Sequence, residues 1–137
     1  MYKSTDAGMT WTQSGLSAPG IISKIEIDPT NSNIVYAASM GIPFERSFER
    51  GVYKSIDGGA NWVQIFNIDD STGVSDLLVH PENPQLLIAA GWTRIRNNQE
   101  SITSGSGHKL FRSVNGGGTW AALDGGCLLY TSDAADE

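Results

Sequence analysis

Apolar and polar residues alternate with a period of two through Ile22-Ser23-Lys24-Ile25-Glu26-Ile27, the signature of a strand with one buried face. The stretch Val74-Ser75-Asp76-Leu77-Leu78-Val79 repeats it 52 residues later. Asp28-Pro29 and His80-Pro81 close these two segments, because proline cannot donate to a strand ladder. After each comes a polar turn and then an unbroken apolar run, Ile34-Val35-Tyr36-Ala37-Ala38 or Leu86-Leu87-Ile88-Ala89-Ala90. Runs of that length suit strands covered on both faces. The pattern predicts strands over 22–28, 34–39, 51–55 and 62–66, and again over 74–80, 86–90, 109–113 and 120–123. Two shorter ones fall at 2–4 and 11–13. No helical periodicity competes with this reading.

A short motif punctuates the strands three times. It reads Ser4-Thr5-Asp6-Ala7-Gly8-Met9-Thr10-Trp11, Ser55-Ile56-Asp57-Gly58-Gly59-Ala60-Asn61-Trp62 and Ser113-Val114-Asn115-Gly116-Gly117-Gly118-Thr119-Trp120. An aromatic residue stands two places before each serine (Tyr2, Tyr53, Phe111), with Lys or Arg between. The Asp or Asn side chain can close a turn on backbone N–H groups, and Gly8, Gly59 and Gly117 supply a positive φ. The tryptophan is expected to bury apolar surface beside the next strand. These are turn-holding roles; Asn115 cannot act as a carboxylate base, which argues against catalysis at these sites. His80 falls where the other repeat has Asp28, and reads as a turn residue rather than a ligand.

The motif serines are 51 and 58 residues apart, and the extra length lies in the 91–109 segment. A four-stranded meander recurring about every fifty residues is the blade of a β-propeller. The expected fold is therefore all-β: residues 1–20 as the last two strands of one blade, 21–72 and 73–126 as further four-stranded antiparallel blades. Such a ring needs at least about four blades to close, so more blades are expected from elsewhere.

The three octets resemble the Asp-box, or bacterial neuraminidase, repeats of sialidase-like propellers, and the resemblance covers nearly all of residues 1–126. The text from Asp28-Pro29 to Tyr36-Ala37 is similar to blades of xyloglucanase-type glycoside hydrolases. Sortilin-type receptors and photosystem II assembly factors share the style. The resemblance implies that the boxes lie between the third and fourth strands of each blade, on the face away from a catalytic site. Carried onto Ser4, Asp6, Gly8 and Trp11, Ser55, Asp57, Gly59 and Trp62, and Ser113, Asn115, Gly117 and Trp120, it implies scaffold. Sialidase hallmarks are missing: Ile42-Pro43 follows Gly41 rather than Arg, and no Tyr–Glu nucleophile pair can be assigned. Residues 127–137 have no counterpart in the repeats and resemble a translated sequencing-library adapter, so they are expected to be a non-native tail.

Charge adds exclusions rather than a function. The chain carries 15 acidic and 9 basic residues, a net −6; leaving out Asp133, Asp136 and Glu137 gives twelve acids, and −3. Mild acidity without a basic run excludes nucleic acid as an expected partner. No segment approaches the roughly 18–20 apolar residues of a membrane span. The single cysteine, Cys127, lies in the tail, which argues against a disulfide framework or thiolate metal site. Asp69-Asp70 lacks a calcium-loop spacing and reads as a polar connection. No cofactor or metal is expected, and the composition gives no P-loop, dinucleotide or zinc motif.

Function is expected in the loops joining the second and third strands of each unit, because loops on a rigid sheet carry binding work. The first offers Phe44, Glu45, Arg46, Phe48, Glu49 and Arg50, the second Trp92, Arg94, Arg96 and Glu100. Aromatic faces can stack on sugars, and guanidinium groups can grip carboxylates or hydroxyls. The competing reading is that Glu45/Glu49 and Arg46/Arg50 pair among themselves and solvate the loop. Glu45, Glu49 and Glu100 are the candidate acid–base carboxylates, with no separation fixed by sequence; His108 reads as a solvated loop end. The expected function is a ligand-binding scaffold for carbohydrate or protein, in a secreted, periplasmic or cell-surface parent. A glycoside hydrolase whose catalytic carboxylates lie in other blades, or a protein-binding receptor or assembly factor, are the alternatives.

Overall fold

The computed structural model describes residues 1–17 and 20–124, so the expectation for residues 127–137 lies outside the described residues. Twelve strands and no helix are present among them: β1 (Tyr2–Lys3), β2 (Thr12–Gln13), β3 (Ile21–Ile27), β4 (Val35–Gly41), β5 (Gly51–Ser55), β6 (Val63–Phe66), β7 (Thr72–Val79), β8 (Leu87–Thr93), β9 (Ile95–Arg96), β10 (Ser101–Ile102), β11 (Leu110–Ser113) and β12 (Ala121–Ala122). They form two four-stranded antiparallel meanders, β3-β4-β5-β6 and β7-β8-β11-β12, and two hairpins, β1-β2 and β9-β10. All the expected strands occur, with ends shifted by at most three residues. The β9-β10 hairpin was not expected. Its signal was legible: Asn97 sits between two short apolar-containing pairs, and its Oδ1 accepts the N–H groups of Gln99 and Glu100 at 2.8 and 2.9 Å.

The two meanders repeat even in their irregularities. Each first strand carries a bulge around a serine, between Ile22 and Lys24 and between Val74 and Asp76. Ser23 Oγ and Ser75 Oγ each donate to a carbonyl of the adjacent strand, Ala38 and Ala90, both at 3.2 Å. Ser23 also donates to the carbonyl of Val74 and so bridges the two sheets. After the first strands, Asp28 Oδ1 accepts Thr30 N–H at 2.7 Å, and His80 Nδ1 accepts the N–H groups of Glu82 and Asn83 at 3.1 and 3.0 Å. Burial pushes the Asp28 carboxyl up, but its bonds from Thr30 outweigh that and leave it below its ordinary value.

The three motif turns share one hydrogen-bond pattern. In the second, Ser55 Oγ donates to Asp57 Oδ1 and accepts Gly59 N–H, both at 2.8 Å, while Asp57 accepts Asn61 N–H at 2.8 Å. Trp62 Nε1 then donates to Gly59 O at 2.9 Å. Ser4, Asp6, Gly8, Thr10 and Trp11 reproduce this, as do Ser113, Asn115, Gly117, Thr119 and Trp120. Two successive residues adopt positive φ in each turn: Ala7 and Gly8, Gly58 and Gly59, Gly116 and Gly117. These bonds hold Asp6 and Asp57 down at about 2, for Asp6 chiefly those from Thr10 and for Asp57 chiefly those from Asn61.

The core lies between the two meanders. Tyr36, Ala38 and Val52 from the first cluster with Val74, Leu77, Leu87 and Ala89 from the second, all buried. Each such large side chain contributes about 1.5–3 kcal/mol on burial. Phe66, ending β6, stacks on Trp120 at 4.6 Å and meets Phe111 edge-on at 5.1 Å. The motif's tryptophan and upstream aromatic thus pack on the previous sheet. Trp11 departs from expectation: it is 61% exposed, because among the described residues no sheet lies against it as the first meander lies against Trp120.

Candidate loop site

The loops between β4 and β5 and between β8 and β11 meet at the end of the meanders opposite the motif turns. Backbone bonds stitch them together: Arg96 N–H to Pro43 O at 2.7 Å, Arg94 N–H to Ser71 O at 3.0 Å, and Ser47 N–H to Asp70 O at 2.8 Å. Asn97 Nδ2 adds a bond to Phe44 O at 3.2 Å. Under this seam Ile95 is fully buried, and the Thr72 and Thr93 hydroxyls lie 2.7 Å apart. Asp69 Oδ2 accepts from Thr72 at 2.9 Å. Burial pushes Asp69 up, and its bonds from Ser71 and Thr72 more than reverse this.

Arg50 organises the seam and is a correction to the sequence reading. Grouped there with ligand-binding residues, it is instead fully buried. Its Nη1 donates to the carbonyls of Met40, Ser71 and Arg94 at 3.1, 3.2 and 3.0 Å. Its Nη2 donates to Ile42 and Glu45 at 2.7 and 2.8 Å. A planar guanidinium satisfies this fan of oxygens where a lysine ammonium has only three donors. Burial lowers its proton affinity, and the charges of Asp69 and Asp70 work against that. The guanidinium reaches the carbonyls because Gly41, at φ 70°, leaves space: a Cβ there would stand 2.5 Å from Arg50 Cγ. The one buried side-chain polar atom without a partner among the described residues is Arg50 Nε.

Arg46 makes the second tie. Nη2 meets Glu100 Oε2 at 3.0 Å and Nη1 meets Asp70 Oδ1 at 3.1 Å, which raises its proton affinity, Glu100 first. The pairing within Glu45-Arg46-Ser47-Phe48-Glu49-Arg50 weighed from sequence is therefore not the one formed: Arg46 pairs across the seam, and Glu45 offers Arg50 its carbonyl. Glu100, a candidate acid–base carboxylate, is held in that ion pair.

What remains open to solvent includes aromatic and cationic side chains, beside the exposed carboxylates Glu45 and Glu49 and the amides Asn97, Asn98 and Gln99. Phe44 and Phe48 are 66% and 68% exposed. Trp92 is half-buried, its Nε1 donating to Thr103 O at 3.0 Å, with the Arg94 guanidinium 5.3 Å from its ring centre. Arg96 is exposed at the hairpin. Among the described residues there is no group of three or more His, Cys, Asp and Glu placed to hold a metal, and no helix long and apolar enough to cross a membrane.

Two solved structures share this architecture. A crystal structure of an ancestral GH74 enzyme superposes with a TM-score of 0.66 at 21% identity, covering 89% of this chain and 15% of its own. The GH74 enzyme of Niastella koreensis gives 0.62 at 23% identity, covering 88% of this chain and 17% of its own. At such identity they establish the fold, part of a β-propeller built from four-stranded antiparallel sheets, and this chain spans about one-sixth of their length. No curated protein matches the sequence significantly. The family Sortilin-Vps10, described as sortilin, neurotensin receptor 3, matches residues 1–131, nearly the whole sequence. The chain belongs to the Sortilin-Vps10 family.

Proposed function

We propose that this chain is a ligand-binding scaffold of a secreted or cell-surface propeller, taking a carbohydrate or protein ligand on the seam of its two long loops. The observation that carries the reading is the division of labour among the arginines. Arg50 and Arg46 are consumed in fastening the loops, which leaves Phe44, Phe48, the Trp92/Arg94 pair and Arg96 on a surface that has already lost its conformational freedom. A pre-ordered face with exposed aromatic anchors is what binding requires. In this reading the Ser-x-Asp/Asn-x-Gly turns are Asp boxes and hold the opposite end. Residues 1–20, 21–72 and 73–126 act as successive blade segments, and 127–137 take no part.

The receptor in the family's description favours a protein ligand, and the GH74 neighbours favour a sugar. The hydrolase alternative needs two carboxylates roughly 5–10 Å apart across the mouth of a full ring. Glycan and random-peptide arrays probed with the 137-residue chain test the proposal. Binding that falls at least about tenfold in both Trp92→Ala and Phe44→Ala supports it. Binding insensitive to both changes, or none on either array, sinks it.

A further inference from the structure

Glycine follows asparagine once in this chain, at Asn115-Gly116 in the third motif turn, where the other two turns have Asp6 and Asp57. An Asn-Gly step is the sequence setting in which the side-chain amide is most open to attack by the next backbone nitrogen, because glycine has no Cβ to crowd the approach. Here both reacting groups are held. Asn115 Oδ1 accepts Thr119 N–H at 2.8 Å and Ser113 Oγ at 3.0 Å, and its Nδ2 donates to Thr119 Oγ1 at 2.9 Å. Gly116 N–H donates to Gln85 O at 2.9 Å, and Lys54 Nζ, from the first meander, donates to Gly116 O at 3.0 Å. Asn115 is exposed to water, while Gly116 is buried. The second turn shows the same surroundings around a carboxylate. Gly58 N–H donates to Asn33 O at 2.8 Å and Lys3 Nζ to Gly58 O at 2.7 Å, while Asp57 accepts from Ser55 Oγ, Asn61 N–H and Asn61 Nδ2.

We infer that Asn115-Gly116 is a latent deamidation site, kept closed by the bond from Gly116 N–H to Gln85 O, and that its aspartate product completes the third motif. When that bond opens, Gly116 N gives up its proton and bonds to Asn115 Cγ. The Cγ–Nδ2 bond breaks, and Nδ2 leaves with the proton as ammonia. Water then opens the succinimide ring. Cleavage between Cγ and the Gly116 nitrogen gives aspartate, and cleavage at the main-chain carbonyl gives isoaspartate, which adds a carbon to the backbone of the turn. The folded turn fits the aspartate with one adjustment. A carboxylate has no donor, so the Thr119 hydroxyl must turn and donate to it, as Thr10 Oγ1 already does to Asp6 Oδ2. The product gains one negative charge beside Lys54, as Asp57 has beside Lys3.

Peptide mapping by mass spectrometry, on the 137-residue chain aged at mildly alkaline pH with and without urea, is the test. In urea, conversion of amide to acid is expected at Asn115 ahead of the other asparagines. In the folded chain it is expected to run at least about tenfold slower, because it waits for a local opening. Thr119→Val removes the acceptor of Nδ2 at an exposed position, and is expected to speed the folded reaction several-fold while leaving the rate in urea unchanged. Asn115→Asp, made directly, is expected to keep the far-ultraviolet strand signal and to give a Gly117 amide resonance that moves in acid. Equal rates with and without urea overturn the inference, as does the absence of any preference for Asn115 in urea. A Thr119→Val chain that reacts no faster when folded, or an Asn115→Asp chain that loses its strand signal, also overturns it.

Discussion

The two meanders carry one sequence pattern and come to different burial. Strand β7 hides Val74 and Leu77 completely, whereas β3, its counterpart, leaves Ile21, Ile25 and Ile27 about half exposed. The strands themselves are not responsible, since both alternate, both bulge at a serine, and both pair with an apolar second strand. The difference is the neighbour: β7 packs against both β3 and β4, whereas the side of β3 that carries Ile25 and Ile27 faces the short β1-β2 hairpin across an open cavity. Amphipathic pattern thus determines which face is apolar, and the adjacent sheet determines whether that face is dry. In a repeat architecture stability is divided between the unit and its junctions.

The slot before the third strand gives the sharpest contrast, because Arg50 fills it in the first meander and exposed His108 in the second. Arg50→Ala would strand five carbonyls and is expected to cost about 3–5 kcal/mol, read by chemical denaturation. His108→Ala should change stability by less than about 0.5 kcal/mol. Next comes the matched pair in the inner strands. Leu77→Ala is expected to cost about 3 kcal/mol through lost transfer energy and a cavity. Ile25→Ala should cost under about 1 kcal/mol. Equal losses at the two positions would break the comparison.

Much of the architecture was legible because it repeats. The strands, the Pro-closed turns and the motif turns each appear at least twice, and a repeated pattern separates signal from accident. Arg50 was not legible. A charged residue in a polar loop is ordinarily solvated, and its burial depends on five carbonyls contributed by three separate segments of chain. The available hint was Gly41, a glycine that leaves room for the side chain nine residues later. Arg46 was misread for a related reason: its carboxylate partners, Asp70 and Glu100, are 24 and 54 residues away, while nearer glutamates invited a local pairing. Exposed Phe44 and half-buried Trp92 were placed at the same end because the meander topology fixes which loops share an end.

Acid should separate the turns. Asp6 and Asp57 are held at about 2, below the ordinary aspartate value of 3.8. Their contribution is therefore complete above about pH 4 and is lost as the pH falls through about 2. Asn115 does not titrate, and its turn makes the corresponding bonds, Ser113 donating to Oδ1 at 3.0 Å and Nδ2 donating to Thr119 Oγ1 at 2.9 Å. Amide resonances of Gly8 and Gly59 should move between pH 4 and 2 while that of Gly117 stays. Asp57→Asn should make Gly59 behave like Gly117, and a Gly59 shift that persists in that variant would show that the carboxylate is not the group responding.

A smaller contrast concerns one backbone angle. Ala7 holds φ 57° where the other turns place Gly58 at 69° and Gly116 at 66°. A Cβ in the left-handed region costs roughly 1–2 kcal/mol, and glycine gives back about 0.5–1 kcal/mol of that through its greater freedom in the unfolded chain. Ala7→Gly should therefore stabilise the first turn by at most about 1.5 kcal/mol. Gly116→Ala should destabilise the third by a similar amount, because it puts a Cβ at φ 66°, while the nearby Gln85 amide, at the end of a flexible side chain, can move aside. Thermal denaturation of the two variants checks both signs. A destabilising Ala7→Gly would mean that the alanine methyl makes a contact worth more than its backbone strain, and the three turns would then be alike in hydrogen bonds only.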